Sequence, residues 1–73
     1  MTSTYGNVQV ITKPIPESNN LSIRVYEAGK DVTQYFDGIL GKCTRKGIII
    51  NRGRFNYRDV KNALLKVGFM PVA

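Results

Sequence analysis

The chain contains no histidine and no tryptophan, a single cysteine, and five carboxylates against eleven Lys and Arg. Without histidine there is no imidazole to act as general base to a nucleophile or as a zinc ligand. The lone Cys43 has no partner for an intramolecular disulfide or for thiol exchange, whereas small secreted domains usually carry several bridges. The cysteine usage therefore points to a reducing, cytoplasmic setting. Apolar runs are short, three residues at Ile48–Ile50 and five, with a proline inside, at Phe69–Ala73, far below the ~20 needed to span a bilayer. The opening Met-Thr-Ser-Thr-Tyr-Gly has no basic segment followed by an apolar core, so no secretory signal is read there. No membrane, metal or cofactor partner is expected.

Acidic side chains are too few and too scattered for carboxylate catalysis. Glu17, Glu27, Asp31, Asp37 and Asp59 lie beside Asn, Gly or Lys in turn-like stretches or at a helix start, and no spacing suggests a converging pair. Gly41-Lys42-Cys43 resembles the end of a phosphate loop, but the required upstream glycine is Phe36 and the hydroxyl position is Cys43, so the motif fails. Cys43 has Lys42, Arg45 and Lys46 nearby to favour a thiolate, yet no base beside it. It reads as a small apolar residue in a strand. No catalytic residues are assigned, and the chain is not expected to be an enzyme.

What the sequence does have is positive charge, unevenly placed. Residues 1–40 hold Lys13, Arg24 and Lys30 against four carboxylates; residues 41–73 hold eight cations against Asp59 alone, for a net charge of +6. That asymmetry suggests a basic face directed at a polyanion or an acidic protein surface.

Seventy-three residues suit one small basic domain, 1–73, that buries only roughly 60% of its unfolded surface. Self-association would help so small a fold; the sequence leaves the oligomeric state open, with a homodimer among the options. Residues 1–7 are small and polar and are expected to be flexible. Val8–Thr12 alternates like a strand, and Leu21–Tyr26 does so more cleanly, with Leu21, Ile23 and Val25 on one face and Ser22, Arg24 and Tyr26 on the other. Ala28-Gly29-Lys30 is a turn. Asp31–Phe36 fits either a strand or one helical turn closed at Gly38; a short turn feeding a new strand is the preferred reading. Ile39–Thr44 and Gly47–Asn51 suggest a hairpin joined through Arg45-Lys46-Gly47. Three consecutive isoleucines suggest a strand covered on both faces.

The helix, about 57–67, is the best-marked element. Asn56 suits the N-cap and Asp59 the first turn; Lys66 and Gly68 suit its end. Tyr57, Val60, Leu64 and Val67, widened by Ala63, form the expected buried stripe. Phe55 fits a hydrophobic staple with Val60, and Met70–Ala73 is expected to lie along the sheet. The fold class that follows is α+β: a small antiparallel sheet of three to four strands with one C-terminal helix packed on it.

The expected function is non-catalytic binding, by a nucleic-acid-binding or regulatory accessory protein. Arg52, Arg54 and Arg58 cluster at a helix N-terminus with Phe55 and Tyr57 between them, an arrangement suited to phosphates. Lys42, Arg45 and Lys46 lie in the preceding hairpin, and Lys61 and Asn62 on the helix. These eight residues form the expected site. For Phe55 and Tyr57 the core is the favoured place. The alternative is a protein inhibitor or adaptor, for example a phage-type, anti-CRISPR-like factor acting on a larger nucleic-acid-processing machine.

Overall fold

The computed structural model describes residues 1–69, so the expectation for Met70–Ala73 lies outside the described residues. Among these residues six strands build one antiparallel sheet: β1 (Thr2–Tyr5), β2 (Val8–Pro14), β3 (Asn20–Glu27), β4 (Lys30–Asp31), β5 (Lys42–Thr44) and β6 (Gly47–Asn51). The spatial order is β1-β2-β3-β6-β5, with β4 also paired to β3. Among the described residues one α-helix follows, α1 (Tyr57–Val67). The class is the expected one, α+β with a C-terminal helix on an antiparallel sheet, but the sheet has six strands, not three to four. Two of the additions carry little hydrophobic signal. β1 is Thr-Ser-Thr-Tyr, placed by backbone pairing to Val8–Ile11 where a flexible segment was expected. β4 is two residues long.

The central strand is β3, and two strands share its far edge. β6 pairs with Asn20–Ile23, and β4 pairs with Tyr26 and Glu27. Between them the ladder is interrupted at Arg24–Val25. There the Thr33 hydroxyl accepts from Val25 N at 2.9 Å, and Val32 N donates to Val25 O at 2.8 Å. These contacts satisfy backbone groups that would otherwise be buried without partners. Residues 31–36 hold the expected short turn feeding a new strand: β4 leads into a 3₁₀ turn at Thr33–Phe36, Gly38 follows with φ 80°, and β5 comes next.

Alternation along the strands sends one side of the sheet to the core. Val8 and Val10 of β2, Ile23 and Val25 of β3, and Ile48 of β6 meet Val60, Ala63 and Leu64 of α1, with Val32, Phe36 and Leu40 closing the end. Of the three isoleucines only Ile48 is fully buried. Ile50 lies at the core margin, and Ile49 turns to the opposite side of the sheet, half-covered.

The helix begins and ends as its sequence dictates. The Asn56 side chain accepts from Arg58 N at 2.7 Å. At the other end Gly68 adopts φ 92°, and the Gly68 and Phe69 N–H groups donate to Leu65 O and Leu64 O, the pattern of a Schellman close. Phe69 then packs on Phe36 and edge-on to Tyr35. Tyr57 departs from the expected stripe: it is 42% exposed. Phe55, just before the cap, packs against the core instead. Tyr57 stands edge-on to it, with ring centroids 5.0 Å apart.

Candidate nucleic-acid interface

Alternation leaves the other side of the sheet uncovered by any described element. The strand register sets its side chains in rows. Lys13, Ser22, Ile49 and Lys42 cross four strands in one row; Ile11 and Arg24 pair in the next; Gln9, Tyr26 and Asp31 form a third. Neighbouring strands lie ~4.8 Å apart, so the first row carries a lysine at each end across ~14 Å. Of this face the sequence shows Ser22, Arg24 and Tyr26 on one strand and Lys42, Arg45 and Lys46 in the hairpin, but not that they share a surface. Lys13 was missed because alternation shows which residues share a strand face, whereas pairing decides which strands lie side by side.

The β5–β6 turn is fastened onto this face. Arg45 and Lys46 form the two-residue link, and Gly47, at φ 104°, completes it. The Thr44 hydroxyl accepts from Lys46 N at 3.1 Å and lies 2.8 Å from Gly47 O. Two β3 side chains then hold the turn carbonyls: Ser22 Oγ donates to Lys46 O, and Arg24 Nη2 donates to Arg45 O. The second Arg24 amino group binds Asp31 Oδ2 at 3.2 Å. Arg24 is therefore a strut joining β3, β4 and the turn.

Asp31 is held in turn by Thr33. The Thr33 hydroxyl lies 2.6 Å from Asp31 Oδ1 and 3.3 Å from Val25 O. One proton cannot serve both, and the shorter, charge-assisted bond takes it. That hydroxyl first, then the Thr33 backbone N–H, and then Arg24 hold the Asp31 carboxyl below its ordinary 3.8.

Ile11, Lys13, Ser22, Arg24, Tyr26 and Lys46 line a depression of about 260 Å³ on this face. The cations on and around the face are Lys13, Arg24, Lys42, Arg45 and Lys46; the carboxylate among them is Asp31. Among the described residues the one ion pair is Arg24–Asp31, so the lysines carry their charge unpaired.

The eight residues expected to form one site fall at two places. Lys42, Arg45 and Lys46 belong to the open face. Arg52 and Arg54 lie in a 3₁₀ turn at the other end of β6, ~13 Å away by strand length. That turn is tied down by Arg52 N donating to Asn19 O at 2.6 Å, and by the Asn51 side chain accepting from Gly53 N. Arg58, Lys61 and Asn62 continue from it along α1, on the covered side of the sheet, all exposed. Asn62 borders a separate groove of about 240 Å³ between α1 and the sheet, lined on its apolar side by Ile39, Ile50 and Phe55 and on its polar side by Asn56, Asp59 and Lys66. Cys43 is half-buried beside Ile48, its N–H donating to Asp37 Oδ1 at 2.9 Å. Among the described residues no helix is long and apolar enough to cross a membrane. No family model, curated protein or solved structure matches the chain.

Proposed function

We propose that this protein is a non-catalytic binder of nucleic acid, working in the cytoplasm as a regulatory or accessory factor, and that the open sheet face is its principal contact. The observation that carries this reading is the fastened hairpin turn, which sets Lys46 in one recess with Lys13, on the face that also carries Lys42 and Arg45. A turn held by two side-chain hydrogen bonds gives up little freedom when it meets a phosphate backbone, so more of the electrostatic attraction remains as affinity. Arg52, Arg54, Arg58 and Lys61 supply a second basic region that a longer nucleic acid would reach by passing around the end of β6.

The groove beside α1, with Ile39 41% exposed, favours a second reading: an inhibitor or adaptor that docks on a protein. The two are separated by measuring binding of duplex and single-stranded DNA and RNA at low salt. The nucleic-acid reading expects binding that Lys13→Ala/Lys42→Ala/Lys46→Ala weakens more than Arg52→Ala/Arg54→Ala/Arg58→Ala. Absence of binding to every nucleic acid sinks it and favours the inhibitor.

A further inference from the structure

We infer that the depression on the open sheet face takes single-stranded nucleic acid, with one base lying on the Tyr26 ring and the adjoining phosphates held by Lys13 and Lys46. This rests on the nucleic-acid reading above and names which form is bound.

The placement of Tyr26 is the first argument. The core lies on the opposite side of the sheet, and Tyr26 is not part of it. Its cross-strand neighbours are Gln9 and Asp31. The aromatic pairs among the described residues join Tyr35 and Phe36 to Phe69 and Phe55 to Tyr57, so the Tyr26 ring has no aromatic partner of its own. It stands half-buried in the wall of a recess otherwise made by aliphatic Ile11, the small Ser22 and three cations.

The composition of the recess is the second argument. A bare phosphate or an acidic peptide would use the cations and leave Ile11 and the ring idle. A splayed nucleotide uses both, because every base has a flat apolar surface and every linkage a negative charge. Arg24 is fixed by Asp31 and the Arg45 carbonyl, so it forms a rigid wall, while Lys13 and Lys46 remain unpaired to meet phosphates.

Shape is the third argument. Reading a duplex takes a helix or ribbon that protrudes into a groove. A recess in a sheet face does the reverse: it admits a base that has left its stack.

The test is fluorescence anisotropy with short labelled oligothymidine and oligouridine and a duplex of equal length, using wild-type protein, Tyr26→Leu and Tyr26→Phe, each shown folded by its melting transition. The single strands are expected to bind more tightly than the duplex. Tyr26→Leu is expected to weaken single-strand binding roughly 5- to 150-fold, and Tyr26→Phe to leave it nearly unchanged. Equal or tighter duplex binding, or an unaltered Tyr26→Leu, overturns the inference. If Lys13→Ala and Lys46→Ala still weaken binding in that case, the nucleic-acid reading survives without the stacked base. No binding to any oligonucleotide removes both.

Discussion

Gly47 and Ala28 both occupy hairpin turns with positive φ, 104° and 50°, yet they predict opposite outcomes. A Cβ on Gly47 would lie 2.6 Å from Ile23 O, on top of an unfavourable backbone. Gly47→Ala should cost at least about 1–2 kcal/mol from conformation alone, read as a lower denaturation midpoint, and it should loosen the turn that presents Arg45 and Lys46. Ala28 has an L side chain where the turn Ala28-Gly29 asks for Gly or Asn. In Ala28→Gly the relief of strain is partly offset by the greater freedom of the unfolded chain, leaving a gain of about 0.5–1 kcal/mol. That should appear as a rise in Tm of roughly 2–8 °C. The Asp31 carboxyl, lowered by Thr33 and Arg24, stabilises the fold when ionised. That contribution is fully present above 3.8 and is lost as pH falls through the lowered value. Urea midpoints of wild type and Asp31→Asn should therefore differ at neutral pH and converge in strong acid. A gap that persists there would mean that Asp31 acts through packing rather than charge. Both partners of the Arg24–Asp31 pair are more than one-third exposed, so the gap should be small and should shrink with salt.

α1 shows how much of an element local sequence encodes. Its limits, its Asn56 cap and its Gly68 close were all legible, because caps and periodicity are properties of neighbouring residues. Tyr57 was not, because Phe55 packs against the core while Tyr57 stands edge-on to it, its hydroxyl 3.3 Å from Met1 Sδ. β1 and Lys13 were not legible for a related reason. Thr-Ser-Thr-Tyr becomes a strand by pairing with β2, and Lys13 joins Arg24 and Tyr26 only through the register Lys13↔Ser22. The expected basic site was read as continuous along the chain from 42 to 61. β6 carries the chain from one end of the sheet to the other in the middle of that stretch, so its two halves part. The structure puts Leu64 of α1 fully within the core. Leu64→Ala should cost about 2–5 kcal/mol by leaving a cavity beneath the helix, a large share of the stability of a domain this size. Calorimetry checks it, and an unchanged melting temperature would mean that α1 does not pack by this face.

The whole molecule is a one-layer sheet with a helix on one side and charge on both. Five carboxylates face eleven Lys and Arg; Asp31 is bound up with Arg24, Asp37 accepts from Cys43 N next to Lys42, and Asp59 sits at the helix start. The net charge of +6 favours the approach of any polyanion. On the nucleic-acid reading proposed above, affinity should fall as ionic strength rises. For a single strand each phosphate neutralised changes the slope of log K against log salt by about −0.7. Three to four contacts from the open-face cations predict a slope of about −2 to −3, and Lys13→Ala/Lys46→Ala should lessen it by roughly 1.4. The deciding measurement is that salt titration, made with a short single strand on wild type and the double variant. The account predicts a steep linear dependence that flattens in the variant; a slope near zero, or the same slope in both proteins, would contradict it.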